Sequence, residues 1–202
     1  MANTADSESH RFGAAIRRMD EVNSGDPVKM ELEGKLIARE LVYARWLTDW
    51  VTQLAPDASE ALRLAARCQH IARWEIPRTA YPETREGYLE WRARLKLMHA
   101  DKGEAILSEL GYPDEIVQRV RSLNLKQNLK QDPECQVLED ALCLVFLEHQ
   151  LSEMTERYAD EKLVNAVKKS WTKMSQRGHE AALRVQLPAS AQRIVELALR
   201  PC

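Results

Sequence analysis

His70 closes an apolar stretch, Leu64-Ala65-Ala66-Arg67-Cys68-Gln69-His70-Ile71, and Arg73, Trp74, Glu75 and Arg78 follow directly. An imidazole changes charge near neutrality and ligates metals, so position 70 is a candidate base or ligand. Arg73 and Arg78 carry the planar fork that grips phosphate or carboxylate through two parallel hydrogen bonds. Glu40, His99 and Asp140 are further candidates, each set in a strongly apolar helical pattern. Burying a carboxylate is costly unless it is paired or coordinates a metal. If Glu40, His70, His99 and Asp140 converge, imidazole with carboxylate suits a first-row divalent ion.

Each residue also has a plainer reading. Glu40 has the apolar Leu36, Ile37, Tyr43 and Ala44 at its helical neighbour positions. Its partner must therefore be an arginine elsewhere, or water. His99 reads equally as a half-exposed helix residue, and Asp140 as the partner of a lysine on another helix. His149 follows Asp140 on the same helix at a spacing that turns it to the opposite side, which leaves it out of a shared site. Glu75 and Glu139 are candidate general bases. Gln69 and Lys130 join Arg73 and Arg78 as candidate ligand-binding groups. Arg92 and Lys126 read as ordinary solvent-facing charge.

The elements that must position these groups are helical. Only 7 glycines and 8 prolines interrupt the 202 residues, and long stretches keep the 3.6-residue period. A tail over residues 1–9 precedes a first helix from about His10 to Asn23, stopped by Ser24-Gly25-Asp26-Pro27. A second helix spans about Lys29 to Leu54. Ser59 is placed to cap a third, with Leu62, Ala65 and Ala66 inward and Arg63 and Arg67 outward. A long helix runs from about Thr84 to Leu110, with Gly103 a candidate break. Asp114 is placed to cap the next, up to Leu123. Glu134 to Tyr158 is apolar on every side around Ala141-Leu142-Cys143-Leu144-Val145-Phe146-Leu147, as a central helix must be. Helices over Lys162–Arg177, Glu180–Leu183 and Ala189–Leu199 complete an all-α, single-domain helical bundle over residues 10–202. No β-alternation of useful length is visible.

Bulk properties bound the function. A formal net charge of −2 gives no general attraction to nucleic acid. No apolar run approaches the length a bilayer crossing needs, and Met1 to His10 lacks the core of a secretory signal. Cys68, Cys135, Cys143 and Cys202 match no zinc or disulfide spacing, so a reduced, cytoplasmic setting is expected.

Leu64 to Arg73 resembles the Leu-Ala-Ala-x-x-His-Asp-Ile-Gly-Arg stretch of the HD-domain metal-dependent phosphohydrolases. That resemblance implies an HD-like helical domain holding a divalent ion, with Mn, Fe, Mg and Zn all open. It lays Glu40 near the first ligand position, Gln69 and His70 on the His-Asp pair, and Asp140 on the last Asp. His99 resembles an extra histidine of two-metal members. The implied activity is hydrolysis of a phosphorylated small molecule or nucleotide. Glutamine and histidine in place of the His-Asp pair depart from the pattern. The alternative is a non-catalytic module binding an anionic ligand or a partner, with a homodimer left open.

A longer resemblance covers nearly the whole chain. Gln69-His70-Ile71-x-Arg73-Trp74-x-x-Pro77-Arg78, then Asn128-Leu129-Lys130-x-Asp132-Pro133-Glu134 and Leu138-Glu139-Asp140-Ala141, resemble a family whose domain has no assigned function. Lys173-Met174-Ser175 resembles the ATP-binding loop of class I aminoacyl-tRNA synthetases. The sheet and the second motif of those enzymes are missing, so it reads as the end of an amphipathic helix.

Overall fold

Helical periodicity and few breakers produce the architecture that the composition implies. The computed structural model describes residues 2–200. Helices α1 (Ala2–Ser24), α2 (Arg39–Leu54), α3 (Glu60–Cys68), α4 (Arg85–Glu109) and α5 (Asp114–Asn124) form its first half. The second half holds α6 (Pro133–Val145), α7 (Leu151–Thr155), α8 (Asp160–Lys173), α9 (Gln176–Ala182) and α10 (Ala189–Leu199). The first helix starts at Ala2, upstream of the expected His10 and within the expected tail; Met1 lies outside the described residues.

One stretch expected as helix is not. Lys29–Leu32 and Lys35–Ala38 form strands β1 and β2 of an antiparallel hairpin, with Met30 opposite Ile37. Glu33 and Gly34 turn between them at φ of 51° and 74°. Two successive left-handed residues match the twist of a two-residue hairpin, and glycine makes the second one inexpensive. The pattern Lys-Met-Glu-Leu around Glu-Gly was short enough to be absorbed into the helix that follows.

The hairpin leaves α2 without a capping side chain of its own, since Ala38 precedes its first turn. Asp26, fully buried, supplies the cap from a distance. Its Oδ2 accepts from the Glu40 N–H at 3.0 Å, and its Oδ1 accepts from Val28 N–H at 2.9 Å. Helix α3 carries the expected local cap, Ser59 Oγ accepting from Leu62 N–H, and α4 is capped by Thr84 Oγ1 accepting from Gly87 N–H, both at 3.1 Å. Pro113, not Asp114, is the cap residue of α5, and Asp114 lies in its first turn. Gly103 does not break α4. It sits where a Cβ would be 3.0 Å from Cys68 Sγ, so its smallness lets α3 and α4 approach.

Two apolar clusters follow from this order. The larger gathers α1, α2, α3, α4, α5 and α6 around Met19, Leu62, Leu64, Leu107, Leu123, Leu138 and Leu144. The smaller joins Leu147, Leu151, Leu163, Val167 and Ile194 beneath α8 and α10. Between them the central helix widens into a π-turn over Phe146–Gln150, where Leu151 N–H reaches back to the Phe146 carbonyl. Glu148 and His149 sit on that turn. Glu148 accepts from Trp50 Nε1 at 2.8 Å, and the His149 ring stacks on Trp46 at 3.8 Å.

Arg67 was expected to face outward. It is buried, and it grips both carboxylate oxygens of Asp20 on α1 at 2.6 Å. Cys68, Cys135 and Cys143 are buried free thiols, as small core residues should be; Cys202 lies outside the described residues.

Candidate functional site

The strap between α3 and α4 brings the sequence candidates together. After His70 the chain turns sharply, with Ala72 held in the left-handed region at φ 54°. A non-glycine residue there carries strain that the surrounding structure must hold. Asn23 assists, its Oδ1 accepting from Ala72 N–H at 3.2 Å. Arg73 then starts a short 3-10 turn and lays its guanidinium over the Trp91 ring, 4.8 Å from the centroid. Trp91 fixes the strap in return by donating its indole N–H to the Ile76 carbonyl at 2.9 Å.

His70 and His99 meet beneath this strap, with ring centroids 5.8 Å apart. His99 is 2% exposed. Its Nδ1 lies 2.7 Å from the Ile71 carbonyl, and a carbonyl can only accept, so Nδ1 carries the proton. Nε2 is therefore a bare lone pair, and it is buried without a hydrogen-bond partner. Burial pushes the His99 imidazole down to about 4, against the pull of the Ile71 carbonyl, and Arg73 and Arg92 push the same way. His70 is also held well below the usual histidine range, by burial first and then by Arg73, His99, Arg92 and Lys126. Both rings are neutral at pH 7.

Glu40 completes the group from the first turn of α2. It is 1% exposed, and its Oε1 lies 3.7 Å from Arg39 Nη2 and 4.0 Å from Arg73 Nε. Arg73 is the partner from elsewhere that its apolar neighbours called for. Arg39, adjacent at the helix start, is a cation on its own helix that the spacing argument left out. Oε2 has no partner. Burial raises the Glu40 carboxyl to about 7 despite Arg73 and Arg39, with Asp26 adding to the rise.

Other expected members serve elsewhere. Asp140 is buried, but its oxygens accept from Ser175 N–H at 2.8 Å, from Ser175 Oγ and from Gln136 Nε2 at 2.9 Å. It thereby anchors the turn from α8 into α9, with Ser175 in turn capping α9 through Gly178 N–H. Gly178 packs so closely there that a Cβ would stand 2.8 Å from the Asp140 carboxyl. Gly178→Ala should accordingly lower stability by about 1–3 kcal/mol, the usual range for overpacking. Urea unfolding measures it, and a midpoint equal to wild type would show that Asp140 is free to move.

Glu139 pairs with Lys126 and, at 3.4 Å, with Lys173. Burial opposes its ionisation, but the two ammonium groups outweigh this and hold the carboxyl below its usual range. A carboxylate so bound is a poor general base. Glu75 is exposed and bonds Lys102 at 3.0 Å. Arg78 spends its fork on the strap, donating to the Tyr81 and Pro82 carbonyls at 2.9 and 2.7 Å. Gln69 is buried beside His70 with Oε1 unpartnered. Lys130 is exposed on the loop before α6.

Arg92 is exposed, as expected of surface charge, and Lys126 is half-buried against Glu139, yet the charge of each bears on His70. Arg92 was discoverable: Tyr88, Arg92, Leu95 and His99 recur at spacings that share one face of α4. Lys126 was not, because it reaches inward from a non-glycine left-handed position, at φ 50°.

The donor set implied by the phosphohydrolase resemblance does not suit a metal ion. Asp140 is committed to Ser175 and Gln136, and a cation beside Glu40 and His99 would face Arg39, Arg73 and Arg92. Among the described residues no three His, Cys, Asp or Glu side chains form a metal-holding group.

A family model described as Domain of unknown function (DUF4202) matches residues 13–195. The chain belongs to the DUF4202 family. No curated protein and no solved structure matches it. The DUF4202 match takes in the whole strap and every member of the cluster above, from Arg39 to Lys126. No helix among the described residues is long and apolar enough to cross a membrane.

Proposed function

We propose that this DUF4202 protein binds a small phosphorylated molecule at the Glu40–His70–Arg73–His99 cluster. The observation that supports this is the charge around two neutral imidazoles: Arg39, Arg73 and Arg92 against the carboxyls of Glu40 and Asp26, with Lys126 already paired to Glu139. Arg73, the most shielded of these cations, would strengthen an incoming anion's hydrogen bonds. Arg73 is the gripping residue, pre-oriented by Trp91 and part-exposed at the strap.

Adding inorganic phosphate should raise the melting temperature saturably. Arg73→Gln should weaken that response by about tenfold to a hundredfold, the worth of one charge-assisted hydrogen bond. A non-saturating rise, equal in Arg73→Gln, would sink the reading.

Hydrolysis of the bound phosphate ester is a second reading, favoured by one observation. A carboxyl raised to about 7, linked through Arg73 to the same cluster as a free imidazole lone pair, is matched to proton transfer at neutral pH. Release of phosphate from a phosphomonoester, lost in Glu40→Gln, would support turnover. Binding with no release in wild type leaves a ligand-binding module.

A further inference from the structure

The cluster offers more than positive charge. His99 Nε2 and Glu40 Oε2 are both buried acceptors with no protein donor, and Arg73 lies close enough to bear on both groups. A bare phosphate brings acceptors only. It answers Arg73 and Arg92 but would face two lone pairs that repel it. The missing half of the recognition is a set of hydrogen-bond donors. An ammonium would donate, but it would stand among Arg39, Arg73 and Arg92, so the donors must be neutral. Hydroxyl groups meet that requirement.

The aromatic surface narrows the class further. Trp91 is the buried ring of the cluster, and Arg73 occupies it at 4.8 Å with Arg78 at 6.0 Å. A nucleobase therefore finds that face already covered. From this we infer that the ligand is a phosphorylated polyol or sugar, its phosphate on Arg73 and its hydroxyls donating to His99 Nε2 and Glu40 Oε2. The inference rests on the anion-binding reading above and adds the donor half of the ligand.

Access runs past the strap. Arg73 is part-exposed, 23% at its side chain, while the two acceptors lie beneath it.

The test is calorimetric titration of the full chain at pH 8 with inorganic phosphate, ribitol, ribose 5-phosphate and adenosine 5′-monophosphate. Ribose 5-phosphate should bind about tenfold tighter than phosphate or better, the scale set by pairing a buried acceptor. Adenosine monophosphate should bind no tighter than ribose 5-phosphate. Glu40→Gln, which sets an amide donor where an acceptor stood, should bring the sugar-phosphate to phosphate affinity ratio down toward one. Equal affinities for phosphate and ribose 5-phosphate in wild type would overturn the inference and leave the anion site standing. No binding of either would remove both. A markedly tighter nucleotide, or a ratio unmoved by Glu40→Gln, overturns the polyol assignment. Binding of ribitol as tight as ribose 5-phosphate does so too, by showing that the phosphate contributes nothing.

Discussion

Glu40→Gln stabilises the protein at pH 8 by about 2 to 3 kcal/mol, and it lacks the loss of stability that the wild-type carboxyl brings between pH 4.5 and about 7. The cause is a carboxyl whose ordinary value is 4.5 and which burial holds protonated up to about 7 in the fold. Between those values the unfolded chain has lost this proton while the folded chain keeps it. Stability therefore falls as pH rises through that window. Histidines 70 and 99 act in the opposite sense. Both are depressed in the fold, His99 from 6.5 to about 4. The unfolded chain takes up their protons as pH drops below 6.5, so their contribution is complete above 6.5 and lost below it, that of His99 by about 4. Two groups pulling upward and one downward put the wild-type maximum near pH 6.5. Urea midpoints from pH 4 to 8.5 measure both limbs. Parallel curves for wild type and Glu40→Gln above pH 5 would mean that Glu40 is ionised throughout.

Arg67→Ala costs about 3 kcal/mol, the cost expected when one partner of a largely buried ion pair is removed. Its fork holds Asp20 at 2.6 Å through both Nε and Nη2, so α1 is fastened to α3 by parallel charge-assisted bonds. The arginine side chain is 10% exposed and Asp20 24%, which keeps water from replacing the bond. Asp20→Asn in combination separates the pair from the packing of the arginine stem. The double variant should cost less than the two singles added, because removing the second partner removes an orphaned charge. Simple additivity would show that the two side chains are not coupled.

Arg67 also marks where reading by residue type fails. A charged side chain on an apolar helix was assigned outward, since nothing local indicates a partner on a helix much earlier in the chain. The same blindness covers Asp26, which caps α2 across a hairpin, and Asp140, which is consumed by Ser175. Local chemistry was legible: Ser59 before α3, the all-round apolar α6, the final helix Ala189–Leu199. The meeting of His70 and His99 was an expectation carried by the phosphohydrolase resemblance, since His99 read equally as half-exposed and His70 lies in the turn beyond α3. What resisted was whatever depends on one buried polar group choosing among distant partners. Several choices satisfy hydrogen bonding equally well, and only the packed geometry selects one. The hairpin at Lys29–Ala38 resisted for a different reason, as four-residue strands carry too few alternations to outweigh the helix beside them.

The widened turn at Phe146–Gln150 has a bearing on how this chain tolerates change. Such a turn contains one residue more than the ordinary helical step. Everything downstream, from Leu151 to the last helix, is rotated about the helix axis by that surplus. The main core and the core beneath α8 and α10 are thus phased to each other by a single amino acid. Trimming it would spin Leu151 and Met154 away from their pocket while leaving every individual residue type acceptable. Length at this one place is constrained more tightly than chemistry.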